Sequence, residues 1–310
     1  MMISDRNQSA AVLFILLGFS DYPEFQILLF LVFLAVYVIT VMGNLGMIVI
    51  IITNPKLRTP MYVFLKHLSF LDFCYSTSVT PKLLENLVSE DRTMSIPTCI
   101  TQYFFTDNCA LTETFMLAVM AYDHFVAICN PLLYMVIMSE KRCALLMAAA
   151  YSWGIFFSLL FTYTILILSF CGTNTINNFV CEYSGILSAS CSDKHFSQLI
   201  FFIFINFTML STLVVIFTSY VFIFVTVMKI HSARARHKAF STCTSHLTAV
   251  GIFYGTVLFL YLIPNTKSSW FTIKVGSVFY TMVIPMLNPL IYSLRNNDVK
   301  ETLRNLMTKK

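Results

Sequence analysis

The sequence predicts an all-α membrane protein: a seven-transmembrane helix bundle with an extracellular N-terminus and a cytosolic C-terminus. Three observations predict the spanning bundle. Charged residues are only 11% of the chain and hydrophobic ones 57%, whereas a soluble domain carries roughly 25% charge. Apolar runs long enough to cross a bilayer, about 20 residues each, recur seven times. Lys and Arg collect on alternate connections, the mark of a positive-inside topology.

The spans cover roughly residues 25–52, 58–80, 97–129, 142–167, 197–228, 239–263 and 271–293. Helical periodicity helps little in placing them, because lipid-facing and buried faces are both apolar. A β-barrel would need many alternating segments of about 10 residues, and none is visible. One set of connections and span ends holds Lys56, Arg58, Lys66, Lys141, Arg142, Lys229, Arg234, Arg236, Lys238, Arg295, Lys300, Arg304, Lys309 and Lys310. The other holds only Arg6, Lys82, Arg92, Lys194, Lys267 and Lys274. The first set therefore faces the cytosol. Residues 1–24 form an external N-terminus and 294–310 a cytosolic tail of a single domain, 1–310. The net charge of +5 reads as a topology signal. No nucleic-acid partner is expected, since the basic residues are spread over several loops.

The apolar stretch Ala10–Phe19 could form a signal-peptide core. It is short, however, only Arg6 precedes it, and no small-residue cleavage site follows cleanly. Asn7-Gln8-Ser9 is a glycosylation sequon on the external side, so Asn7 is the expected attachment point. Asn206-Phe207-Thr208 lies inside a span and should stay unmodified.

Five of the 9 cysteines, Cys74, Cys109, Cys129, Cys143 and Cys243, fall in spans or at cytosolic ends, where thiols stay reduced. Cys99, Cys171, Cys181 and Cys191 fall outside. Four cysteines allow three pairings, and spacing alone does not choose among them. The long external segment from about residue 168 to 196 is of a length that is usually functional or tied down. The third cytosolic connection, His231–Lys238, is brief and basic.

Acids inside the membrane cost several kcal/mol and point to function. Asp72 on the second span and Glu113 on the third both reach mid-bilayer, Glu113 about 15 Å above Asp123 by helical rise. Two carboxylates at one depth would share a proton or a cation, and their oxygen ligands would suit Na⁺. The plainer alternative is that each is protonated and bonded to a nearby Ser or Asn, with Asn44 and Asn288 as candidates. Asp107, about 24 Å above Asp123, either faces a cavity or reaches up to external water.

Several stretches together carry a resemblance along nearly the whole chain. They are Gly43-Asn44, "LRTPMYVFLKHLSFLDFCYS" at 57–76, "MAYDHFVAICNPLLY" at 120–134, "KAFSTCTSHL" at 238–247 and "PMLNPLIYSLRN" at 285–296. In combination they resemble the vertebrate olfactory receptors of the class II type, a branch of the rhodopsin-like G-protein-coupled receptors. The resemblance implies that Cys99 bonds Cys181 and that Cys171 bonds Cys191. It makes Asp72 and Glu113 the mid-membrane pair thought to host a cation, with no other cofactor. Trp153 becomes the structural tryptophan of the fourth span, and Asn288-Pro289-Leu290-Ile291-Tyr292 the switch motif of the seventh. Tyr220 and Tyr292 would close the activated cytosolic end. Residues from about Leu294 to Met307 would lie along the membrane as the short amphipathic eighth helix. The implied role is odorant reception at the plasma membrane, with a stimulatory heterotrimeric G protein raising cAMP.

One departure stands out. The family usually carries Asp-Arg-Tyr where this chain has Asp123-His124-Phe125. Arg is always charged and offers five donors, whereas His is shorter and titrates near neutral pH. His124 would then make a weaker lock and a weaker G-protein contact, unless Asp123 keeps it protonated. Alternatively His is tolerated, and Ala121, Tyr122, Ile128 and Pro131 do most of the docking.

The resemblance places a ligand among the external halves of the third, fifth, sixth and seventh spans. A small, mostly apolar volatile gains affinity by burial, about 25 cal/mol per Å², and one or two polar groups orient it. Asp107, Ala110, Leu111 and Thr114 share one side of the third span. Phe204, Phe207 and Thr208 on the fifth, Tyr254, Leu258 and Tyr261 on the sixth, and Val278 and Thr281 on the seventh complete the candidate lining. Each could equally be ordinary helix packing. A transporter or channel would need a polar path, for which one acidic pair is meagre. No HExxH, GxSxG or phosphate loop suggests an enzyme.

Overall fold

The computed structural model describes residues 13–171, 174–263 and 269–295. Asn7, the tail beyond Arg295 and hence most of the expected eighth helix lie outside these residues. The long helices are α1 (Gln26–Thr53), α2 (Pro60–Val88), α3 (Ile96–Cys129), α5 (Glu140–Leu166), α7 (His195–Met228) and α8 (Ala233–Leu262). The seventh span is built from α9 (Trp270–Val278), a π-turn (Phe279–Val283) and α10 (Ile284–Arg295). Two short helices cap the ends: α4 (Tyr134–Ile137) on the cytosolic side and α6 (Tyr183–Ala189) on the external side.

Six described helical stretches are long and apolar enough to cross a membrane. The helix α2 is long enough but more polar, carrying Lys66, Asp72, Lys82 and Glu85. It still takes the place of the second span, packed between α1 and α3. It runs eight residues past the expected end, straight through Pro81, because the neighbouring helices support the backbone groups a proline frees. The sixth span also starts early, at Ala233. Most of the basic connection expected at His231–Lys238 is thus its first turns, and Arg234 and Arg236 extend into solvent.

Outward faces carry Ile27, Leu145 and Phe217, which lipid would cover. Between helices, lipid and Leu are equally apolar, so close approach and polar links must hold the bundle. A Cβ on Gly154 would collide with the Thr112 hydroxyl and come within 3.0 Å of the Asn108 carbonyl, so glycine lets α5 sit directly against α3. Gly43 gives α1 similar access to Pro289. Asn44 Nδ2 donates to the Pro285 carbonyl (2.9 Å), tying α1 to the seventh span. Gln102 Nε2 donates to the Ser78 carbonyl (2.9 Å), tying α3 to α2.

A small cap closes the external end. Leu13–Leu16, from the apolar stretch near the N-terminus, forms β1 between antiparallel β2 (Thr93–Ser95) and parallel β3 (Thr175–Ile176). Its inward residues Phe14 and Leu16 are fully buried. Gly18 then turns at φ +49°, a conformation that favours glycine, and brings Phe19 onto Phe179 with ring centroids 5.6 Å apart. The Cys99–Cys181 and Cys171–Cys191 bridges are both formed, with Cα separations of 5.6 and 5.9 Å. The first anchors the cap to the head of α3. Gln102 Oε1 adds a bond from the Cys181 amide (3.1 Å).

Candidate functional site

Beneath this cap lies a cavity of about 730 Å³, walled by α3, α7, α8 and the seventh span and roofed by the Thr175–Ser188 segment. A volume of that size is in the range of small-molecule sites. Asp107, Ala110, Leu111, Thr114 and Tyr261 line it, as the sequence suggests. Asp107 therefore faces the cavity; it does not reach external water. Its Oδ2 accepts a hydrogen bond from Ser158 Oγ (2.9 Å) on α5.

The remaining seven candidates are outside this lining. Phe207 and Leu258 are 54% and 59% exposed, on the outer faces of α7 and α8. In a helix apolar all round, residue type does not reveal the inner face. Phe204 packs on Phe157 at 5.4 Å, and Val278 borders a smaller apolar recess beside Phe33 and Phe271. Thr208 and Thr281 are buried among helices, with Thr281 Oγ1 donating to the Ser277 carbonyl (2.7 Å). Tyr254 sits below the cavity and donates to Thr212 Oγ1 (2.8 Å), linking α8 to α7.

Residues not singled out from sequence supply much of the wall: Tyr75, Tyr103, Tyr183, Phe201, Tyr280 and Glu182. Glu182 is in the roof, next to the disulfide that holds it there. Its Oε1 accepts from Ser277 Oγ (2.8 Å). Burial pushes its carboxyl above the ordinary value of 4.5, against the opposing pull of the Ser277 and Asn178 bonds. Adjacency to Cys181 was the sequence signal that could have found it.

At mid-membrane, Asn288 Nδ2 reaches both acids of the expected pair. It lies 3.3 and 3.1 Å from Asp72 Oδ1 and Oδ2 and 3.2 Å from Glu113 Oε1. All three side chains are buried. Among the described residues no salt bridge reaches either carboxylate.

The cytosolic end resolves the Asp123-His124 pair, and differently from one of the expectations. The two side chains point to different neighbours. Asp123 Oδ1 accepts from Tyr134 Oη (2.9 Å) on α4. His124, 4% exposed, turns toward α7 and α8, and no bond joins it to Asp123 among the described residues. Its Nδ1 lies 3.3 Å from Tyr220 Oη, which lies 2.8 Å from His246 Nδ1; His246 Nε2 lies 3.0 Å from the Leu117 carbonyl. A carbonyl only accepts, so His246 Nε2 carries the hydrogen and its Nδ1 accepts from Tyr220. The Tyr220 oxygen can then accept from His124 Nδ1–H. Donors and acceptors match along the whole chain with both imidazoles neutral. Asp123 is thus not positioned to hold a proton on His124. Phe125 lies 5.8 Å from Phe222 on α7. Pro289 lies against Gly43. Tyr292 is buried in the core near the α2 and α3 cytosolic halves, with no hydrogen bond to Tyr220 among the described residues. His246 was the member of this chain of bonds that sequence reasoning passed over, although a histidine within an apolar span was signal enough.

A family model described as olfactory receptor matches residues 33–310. The chain is 59% identical to human Olfactory receptor 5D18 and 60% identical to human Olfactory receptor 5D13. Each comparison runs over 310 residues, 100% of this chain and 99% of the relative. It is 57% identical to Olfactory receptor 1165 of Mus musculus over 307 residues, 99% of this chain and 97% of that one.

Proposed function

The chain belongs to the olfactory receptor family, a multi-pass family of the plasma membrane, and from that premise we propose that it converts a small volatile bound at its outer end into G-protein activation at its inner end. The relatives are receptors and not enzymes. The observation that carries the proposal is the pairing of a capped cavity with a polar joint on the same helices. Helices α3, α7 and α8 wall the cavity and also hold His124, Tyr220 and His246.

The ligand is a mostly apolar volatile, because the cavity wall is mainly aromatic and aliphatic. Burial supplies its affinity, and Asp107, Thr114 or a tyrosine hydroxyl fixes its orientation. To signal, it must bind the arrangement with α8 swung away from α3 better than the present one. Its leverage is Tyr254 and the bond to Thr212 just beneath the cavity. The partner is a stimulatory heterotrimeric G protein, and the output is cAMP.

Asp72 and Glu113 fit a small hard cation. Two buried carboxylates lie on one amide with no basic side chain on either, so a proton or Na⁺ must balance them. Na⁺ would be held by the oxygens of these two acids, with the Asn288 amide turned so that Oδ1 and not Nδ2 faces it, and would neutralise the middle of the bundle.

A second reading is a receptor whose coupling is weakened, and the position of His124 favours it. His124 offers a single weak hydrogen bond to Tyr220 where a guanidinium would offer five donors. Expression in a cAMP reporter cell, with a chemically diverse volatile panel, tests both. At least one volatile should raise cAMP, and His124→Arg should enlarge that response at matched surface expression. Silence across the panel for both proteins would reject receptor function, and an unchanged response in His124→Arg would reject the weak-coupling reading.

A further inference from the structure

Resting on the odorant-receptor reading, we infer that the cavity selects ligands with a protonated amine on an apolar skeleton and that Asp107 binds the amine. The cavity contains two carboxylates, Asp107 on α3 and Glu182 in the roof, and no Lys, Arg or His among its described lining. The basic side chain at the outer end of the seventh span, Lys274, is tied up elsewhere, with Nζ 3.1 Å from Asp21. Ion-pair partners for the two acids are therefore missing among the described residues, and partly buried carboxylates call for a counter-charge.

Hydroxyl bonds do not supply one. Ser158, at 2.9 Å, and Tyr103 give Asp107 neutral donors only. Tyr103 marks the same spot. Its Oη, in a side chain only 4% exposed and lining the cavity, is engaged by Asp107 and by no other partner among the described residues. An ammonium group seated between Tyr103 and Asp107 would donate to both, because it carries three N–H donors and no acceptor. Around that position Tyr75, Tyr183, Tyr280 and Phe201 present aromatic surface that favours a cation and the hydrocarbon behind it.

The two carboxylates differ in where they stand. Glu182 accepts from Ser277 Oγ, which is itself held by Asn178 Nδ2 (3.2 Å). It belongs to the roof. Asp107 stands in the wall on α3, bonded by hydroxyl groups alone. A carboxylic-acid ligand is disfavoured at the same site, since it would add a third negative group to an enclosed volume.

The test uses full-length receptor in lipid nanodiscs and reads ligand-induced stabilisation against heat, which does not depend on G-protein coupling. The probes are hexylamine, hexanol and hexanoate, one skeleton with three head groups. Hexylamine should stabilise at concentrations at least about tenfold below hexanol, the scale of one charge-assisted hydrogen bond, and hexanoate should not stabilise. Asp107→Asn should erase the preference for the amine. Glu24→Gln, exposed and outside the cavity, should keep it within about threefold. Equal action of hexylamine and hexanol on the unmodified receptor, or an unaltered preference in Asp107→Asn, would overturn the inference and leave the receptor reading intact. The first comparison decides the matter even if the variant fails to reach the membrane. Absence of stabilisation by every member of a broad volatile panel would instead bring down the receptor reading itself.

Discussion

The two ends of this bundle are built on opposite plans from the same three helices. The external end is hollow and roofed: two disulfides, a three-stranded cap and the α6 segment enclose about 730 Å³. The cytosolic end is filled, and α3, α7 and α8 meet there through His124, Tyr220, His246 and the Leu117 carbonyl. Asp107 and His124 are 17 positions apart on α3, about 26 Å along its axis. The difference teaches where each end gets its specificity. The hollow end has two carboxylates with no ion-pair partner among the described residues, whereas the filled end joins His124, Tyr220 and His246 to one another and can be opened only by breaking those bonds.

The most severe way to break the contrast is to remove the anchor of the roof. Cys99→Ala frees Cys181, whose bridge spans 82 residues of sequence. It should cost about 2–5 kcal/mol and appear as loss of surface delivery, measured by an external epitope tag in intact cells. A smaller effect is expected inside the bundle. Gly154→Ala forces a methyl group into the Thr112 hydroxyl and should destabilise by about 1–3 kcal/mol. Gly251→Ala on α8, with open space around its Cα, should be neutral or slightly stabilising. Thermal unfolding of the two variants side by side checks whether close helix approach, and not glycine as such, matters.

The smallest effect is one of pH, and it sharpens the comparison. The folded carboxyl of Glu182 titrates above its ordinary value of 4.5. Folding therefore holds that proton more tightly than the unfolded chain does. Its contribution is complete below 4.5 and is lost as pH rises through the folded value. Between pH 5 and 8 the unmodified receptor should lose more thermal stability than Glu182→Gln, by on the order of 1–3 °C. Equal slopes would mean that the roof acid is solvated and outside the hollow.

Much of this plan was legible in the chain. The seven spans follow from bilayer thickness, and the Asp72–Glu113 meeting from depth along two helices. The two disulfides are those the family resemblance implies. What escaped was whatever depends on rotation about a helix axis. Phe207 and Leu258 are as apolar as any core residue, yet face lipid, because composition in a spanning helix does not mark the inner side. The divergence of Asp123 and His124 has the same origin: adjacent residues project about 100° apart, so chain neighbours need not be partners. The length of α2 was hidden by Pro81, a residue that ends helices in water more readily than in a bundle. The cap was illegible for another reason, since β1 finds its partners 80 and 160 residues away and no local pattern encodes that.

The central claim is that occupancy of the hollow end opens the filled one. Labels at positions 130 and 234, both solvent-exposed at the cytosolic ends of α3 and α8, report it directly. Saturation with a volatile that stabilises the receptor should lengthen the distance between them. An unchanged distance, with the cavity demonstrably occupied, would contradict the account.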